Sequence, residues 1–164
     1  MNKAINLTLA SENLGEFLHK NNSSIVTAES CTGGWLAQVI TEIAGSSAWF
    51  DRGFITYSNQ SKIDMLGVNP ETLAQYGAVS AEVAMQMTAG ALLHSHAKYA
   101  LATTGIAGPT GGSIEKPVGS VYIAWQQKHQ PAHALLANFK GDREQVRKQT
   151  VYQALNLILS LEKI

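Results

Sequence analysis

The stretch that decides the fold runs Ser24-Ile25-Val26-Thr27-Ala28-Glu29-Ser30-Cys31-Thr32-Gly33-Gly34-Trp35-Leu36-Ala37-Gln38-Val39-Ile40 and on to Gly45. β-Branched residues cluster in its first part, so 24–29 reads as a short strand. Two adjacent glycines follow. Trp35, Leu36, Val39, Ile40 and Ile43 then recur with a period near 3.6, an amphipathic helix that Gly45 ends. A strand, a tight glycine turn and a helix form the repeating unit of an α/β domain.

The same pattern extends in both directions. Upstream, Leu9, Leu14, Phe17 and Leu18 keep helical spacing after Asn6 and Thr8, and Lys20-Asn21-Asn22 closes that helix. Downstream, 53–58 reads as a second strand, with Ser58-Asn59 capping a short helix that carries Lys62, Met65 and Leu66 before Gly67. Asn69-Pro70 starts another short helix that stops at Gly77, and Ser80 caps a longer one bearing Val83, Met87, Ala91 and Leu92. A strand over 99–104 leads into a loop over 105–117 with four Gly and two Pro. Strands over 118–125 and 133–139 alternate as neighbours, and Gly141-Asp142 opens a last helix with Val146, Thr150, Tyr152, Leu155, Leu159 and Leu161 on its apolar side. No linker or repeat divides the chain, so one domain is expected over 1–164.

Composition excludes several classes. Only 15% of the 164 residues are charged, against about 25% in an ordinary soluble domain. Twelve basic and twelve acidic residues cancel, which leaves no cationic stripe for nucleic acid. A hydrophobic content of 45% with no net charge argues against disorder. No apolar run is long enough for a membrane helix, and 1–9 lacks the pattern of a signal peptide. The lone Cys31 offers no disulfide framework, so a cytoplasmic setting is expected. Alanine (21) and glycine (14) together make 35 residues, which suggests close backbone packing or a homo-oligomeric surface.

Three segments carry candidate chemistry. In Ser30-Cys31-Thr32-Gly33-Gly34, hydroxyl and thiol groups adjoin the unpaired N–H groups of a helix start, a setting for a nucleophile with an oxyanion hole or for simple capping. No Walker or dinucleotide spacing is present. The five histidines lie away from the glycine turns and lack metal-ligand spacing, so no metal and no cofactor are expected. Lys62, just beyond Tyr57-Ser58-Asn59, is the candidate base, because strand ends on one edge of an α/β sheet meet in one crevice. Lowering a lysine from about 10.4 to about 7–8 costs about 3–5 kcal/mol, which sparse surrounding charge makes feasible. The loop after Thr103-Thr104-Gly105 has too many special backbone positions for a mere connection. Finally, 140–148 concentrates six of the 24 charges, and its Arg143 is placed to hold a phosphate or carboxylate.

Taken in order, Thr27-Ala28-Glu29-Ser30-Cys31-Thr32-Gly33-Gly34, Gly53-Phe54-Ile55-Thr56-Tyr57-Ser58-Asn59 with Lys62, Gly77-Ala78-Val79-Ser80, Gly105-Ile106-Ala107-Gly108-Pro109 and Lys116-Pro117-Val118-Gly119 closely resemble the C-terminal domain of the CinA family. The match runs from about residue 10 to the end. Stand-alone members of that family include nicotinamide-nucleotide amidases. The resemblance implies a single-domain three-layer α/β/α sandwich with a mixed sheet. It also implies hydrolysis of nicotinamide mononucleotide to nicotinate mononucleotide and ammonia by a metal-free Ser/Lys dyad. Ser30 would then be the nucleophile, Lys62 the general base and Tyr57 a supporting proton-handling residue. The backbone from Cys31 through Thr32, Gly33 and Gly34 would stabilise the oxyanion, and Thr104, Gly105 and Arg143 would hold the nucleotide. Two other readings stay open: a non-catalytic nucleotide-binding relative, and a thiol hydrolase using Cys31.

Overall fold

The computed structural model describes residues 4–160. Five strands form one mixed sheet: β1 (Ile25–Glu29), β2 (Phe50–Ile55), β3 (Tyr99–Gly105), β4 (Ser120–Gln127) and β5 (His133–Asn138). Their order is β2-β1-β3-β4-β5, with β1 parallel to β2 and β3 and the β3-β4-β5 run antiparallel. Six helices cover the two faces: α1 (Leu7–Lys20), α2 (Trp35–Thr41), α3 (Asn59–Leu66), α4 (Pro70–Tyr76), α5 (Ala81–Leu93) and α6 (Arg143–Ser160). This is the expected three-layer α/β/α arrangement with a mixed sheet. Among the described residues no helix is long and apolar enough to cross a membrane.

Strand alternation sends two different cores to the two faces. Ile25, Leu101, Val121 and Ile123 pack with α1, α2 and α6, a face of large aliphatic and aromatic side chains. On the other face Val26, Ala28, Ala100, Ala102 and Ala124 pack with α5, whose own contacts include Ala84 and Ala91. Part of the alanine excess therefore goes into the sheet–α5 interface, where methyl-sized side chains bring a helix close to the strands. Gly90 extends the same close packing: a Cβ there would lie 1.9 Å from the Leu66 carbonyl oxygen, so α5 meets the end of α3 backbone to backbone.

The local signals hold where caps set them. Side chains of Asn6, Ser58, Asn69 and Ser80 accept from the first turns of α1, α3, α4 and α5. Asp142 and Gln145 exchange side-chain and backbone bonds, a capping box that fixes Arg143 as the first residue of α6.

Several boundaries differ. β2 begins at Phe50 and ends at Ile55, earlier than 53–58, because pairing with β1 and not its own alternation sets this edge strand. The β4 strand starts at Ser120 and α2 stops at Thr41. Leu9 is exposed, while Ala10 and Ser11 are buried with Leu14 and Leu18. On α6 the buried set is Val146, Thr150, Val151, Ala154, Leu155 and Ile158; Tyr152 and Leu159 are only partly covered, and Leu161 lies outside the described residues. The last helix is covered on two sides, by α1 and by the sheet, which broadens its buried face beyond a single stripe.

Candidate active site

The C-terminal ends of the parallel strands β1, β2 and β3 converge on one cleft of about 200 Å³, lined by Ser30, Cys31, Tyr57, Lys62, Ala78, Val79, Thr104, Gly105, Ala107 and Arg143. Ser30 follows the last residue of β1, and its amide donates to the Thr103 carbonyl at 2.9 Å, which continues the sheet register to the site. Lys62 reaches the same point from the middle of α3.

The lysine is 1% exposed, and its Nζ lies 3.0 Å from Ser30 Oγ, 2.7 Å from the Thr56 carbonyl and 3.4 Å from the Tyr57 carbonyl. Burial pushes its amine below the usual lysine range, and only the nearby Cys31 sulfur pulls the other way. Two carbonyls can take both hydrogens of a neutral amine, which leaves its lone pair for the Ser30 hydroxyl. This is the geometry a general base needs.

The glycine turn departs from expectation. Glu29, 1% exposed, turns its carboxylate into the start of α2 and accepts from the amides of Gly34 (2.7 Å), Leu36 (3.1 Å) and Ala37 (2.7 Å) and from the Thr32 hydroxyl (2.8 Å). Thr103 Oγ1 adds a 2.7 Å bond to that hydroxyl. The helix N-terminus is thus filled by the chain's own carboxylate and is not open to a ligand anion. Gly33 and Gly34 do not serve as oxyanion donors, because the Gly33 amide is spent on the Ser30 carbonyl and the Gly34 amide on Glu29. Among the described residues, no other residue accepts from the amides of Cys31 and Thr32, so these two are the donors left in the turn. Positive φ values of +60° and +98° at Gly33 and Gly34 make the turn, and a Cβ on Gly34 would lie 2.8 Å from Ile55 Cδ1.

Cys31 is 6% exposed, and burial pushes its thiol up to about 12; Glu29 adds to the rise, while its own amide, Arg147 and Lys62 oppose it. A thiol so protonated at neutral pH is a poor nucleophile. Tyr57 is 62% exposed, and its hydroxyl accepts from Arg143 Nη2 at 3.0 Å. What Tyr57 presents to Lys62 is its backbone carbonyl, so the hydroxyl is bonded away from the proton path expected for it. Thr104 likewise spends its hydroxyl on the Ala78 carbonyl at 2.8 Å, which ties β3 to the wall of the cleft. Arg143 donates from Nη1 to the Gly108 carbonyl at 2.8 Å and so bridges the glycine loop and Tyr57 across the mouth.

Arg147, one turn after Arg143 on α6, was not singled out from the sequence. Its Nε and Nη2 donate to the carbonyls of Cys31 (3.1 Å) and Thr32 (2.9 Å), and its guanidinium lies 5.3 Å from the Trp35 ring centre. The available signal was its i,i+4 relation to Arg143. Beside the cleft a wider depression of about 690 Å³ is lined by Gly33, Gly34, Trp35, Gln38, Ile55, Arg143, Glu144 and Arg147, and Arg143 is common to both.

Comparison with known proteins fits this architecture. The model of the CinA C-terminal domain matches residues 8–161. The chain belongs to the CinA C-terminal domain family. Within that family it is 52% identical over 148 residues to the Escherichia coli K12 protein named nicotinamide-nucleotide amidohydrolase PncC, covering 90% of each chain. It is 48% identical over 155 residues to the Pseudomonas putida protein of the same name, covering 94% of this chain and 96% of that one. A CinA-like protein of Geotalea daltonii is 55% identical over 137 residues, which are 84% of this chain and 33% of that longer protein. Among solved CinA-family structures, the Agrobacterium tumefaciens competence/damage inducible protein CihA superposes with a TM-score of 0.92 at 44% identity, covering 95% of both chains.

Proposed function

We propose that this protein is a nicotinamide-nucleotide amidohydrolase that converts nicotinamide mononucleotide to nicotinate mononucleotide and ammonia, with 1–164 acting as a single amidase domain. The observation that carries the reading is the 3.0 Å contact between a buried Lys62 amine and the Ser30 hydroxyl. Desolvating the amine costs free energy, and a buried lysine held against a serine in a cleft is the signature of a functional site. The names of the relatives give the substrate class.

In this mechanism Ser30 Oγ attacks the carboxamide carbon as neutral Lys62 takes the hydroxyl proton. The tetrahedral oxyanion is held by the Cys31 amide, with that of Thr32 behind it. Lys62 then gives its proton to the departing nitrogen, ammonia leaves, and an ester on Ser30 remains. Water attacks that ester, its proton passes to Lys62 and on to Ser30, and the carboxylate product departs. A pocket for a complete small ligand occupies roughly 300–1,000 Å³, so a cleft of about 200 Å³ takes the pyridine ring and its amide. The ribose phosphate reaches Arg143 at the mouth of the cleft, where the guanidinium can exchange Tyr57 for phosphate.

The Cys31 alternative is disfavoured by the raised thiol. Zero net charge together with exposed Leu93 and Ile114 supports self-association, and the single cysteine supports a reducing cytoplasmic setting. The deciding experiment is ammonia release from several pyridine nucleotides and simple amides by the wild type and by Ser30→Ala. Turnover of nicotinamide mononucleotide that disappears in Ser30→Ala while binding persists is expected. Full activity in Ser30→Ala, or a wild type that binds without turnover, overturns the reading.

A further inference from the structure

Arg147 touches neither Ser30 nor Lys62, yet every unspent donor of the nucleophile turn is linked to it through planar peptide units. In a trans peptide the C=O and N–H point in opposite directions, so a donor on the carbonyl side fixes and polarises the N–H on the other. Arg147 Nε donates to the Cys31 carbonyl, and the N–H of that same peptide is the unspent Thr32 amide. Arg147 Nη2 donates to the Thr32 carbonyl, whose peptide N–H belongs to Gly33. Gly33 in turn donates to the Ser30 carbonyl at 3.0 Å, and the N–H of that last peptide is the Cys31 amide beside the nucleophile, which meets its own thiol and no other residue. Both chains of dipoles begin at one guanidinium and end at the two amides from which no other residue accepts.

The cation is itself held in place. Trp35 lies across its face, and the fork geometry matches two successive carbonyls in a way an ammonium cannot. On the opposite side of the turn, Glu29 takes the amides of Gly34, Leu36 and Ala37. Carboxylate and guanidinium thus hold the turn by hydrogen bonds from both sides.

We propose that Arg147 is a positioning residue for the amidase reaction, which aligns and polarises the Cys31 and Thr32 amides toward the oxyanion formed at Ser30. Its contribution is made in the transition state and not in substrate binding. The inference rests on the amidase reading above.

The test compares Arg147→Met and Arg147→Lys with the wild type on nicotinamide mononucleotide. Removing an oxyanion donor outright costs about 10²–10³ in kcat, so Arg147→Met, which only releases the donors, should lose about 10- to 100-fold in kcat with KM nearly unchanged. Arg147→Lys should regain part of that loss, and the rising limb of the pH profile, set by Lys62, should stay where it is. A second probe is the analogue bearing an aldehyde in place of the carboxamide, which adds Ser30 Oγ to its carbonyl and forms a bound oxyanion. Its inhibition should weaken by the same factor as kcat/KM, while inhibition by nicotinate mononucleotide is unchanged. An unaltered kcat in Arg147→Met, a rise in KM with kcat intact, or a shifted pH limb overturns the proposal. If Arg147→Met does not fold, Arg147→Lys carries the same readouts. A wild type that releases no ammonia breaks the amidase reading instead, so the two failures are distinct.

Discussion

Two buried charged side chains sit on either side of Ser30 and meet opposite fates. Glu29 points into the large-residue face of the sheet, where three helix amides and a hydroxyl surround its carboxylate. Lys62 comes from the opposite helical layer and meets two carbonyls and the Ser30 hydroxyl, with no carboxylate in contact. Equal burial therefore has unequal consequences. The acid is fully engaged by groups that do not react, so its role is to hold the turn, while the lysine's surroundings favour losing a proton toward a group that does react.

The comparison breaks most sharply at Lys62. Lys62→Met should lower ammonia release by about 10²–10⁴-fold, the usual share of a general base. Thermal stability should hold or rise, because a desolvated amine is replaced by an apolar side chain of similar length. A variant as active as the wild type removes the lysine from the mechanism.

The pH dependence sharpens the same side. Since burial lowers the amine's affinity for protons, activity should rise as Lys62 deprotonates, with its limb below the free-lysine value of about 10.4. In the window between the lowered folded value and that of the unfolded chain, the unfolded state binds more protons. Lys62 therefore makes stability increase with pH across that window. Denaturation midpoints at several pH values, wild type against Lys62→Met, should show this slope in the wild type alone; equal slopes would contradict it.

At the other site the expected order reverses. Glu29→Gln replaces an acceptor by a donor facing amides, and leaving buried donors unpaired costs about 1–3 kcal/mol. That corresponds to a fall of several degrees in Tm for a chain of this size. Calorimetry on Glu29→Gln should find the stability loss that Lys62→Met lacks; an unchanged Tm would mean the turn does not depend on its carboxylate. The smallest effect is expected at Cys31. Cys31→Ala should stay active within a few-fold of the wild type, as measured by ammonia release, because its raised thiol leaves it protonated and its part is packing.

What was legible in advance follows the range of the interactions. Helix starts at Asn6, Ser58, Asn69 and Ser80 are local hydrogen bonds over two or three residues, and short spacing in sequence fixes them. Ser30 and Lys62, 32 residues apart, are paired in the sequence by the convergence of strand ends on one crevice and by the family resemblance; the fold brings their side chains within 3.0 Å. The roles expected of Tyr57 and the two glycines come from the motifs of the family resemblance. Sequence adjacency does not tell which way a hydroxyl or an amide is already bonded, and all three turned out to be bonded elsewhere. Arg147 was invisible as a site residue because its partners lie more than a hundred positions away.

By itself the sequence determined the strand–turn–helix units, the helix caps, the α/β class and the nomination of a serine and a lysine, since each depends on near neighbours and residue type. The tertiary structure alone decided the strand order with its antiparallel half, the filling of α2's start by Glu29 and the bracing of the nucleophile turn by Arg147. Those are contacts between distant segments, and only the packed sheet fixes which of the many possible donors and acceptors are already spent.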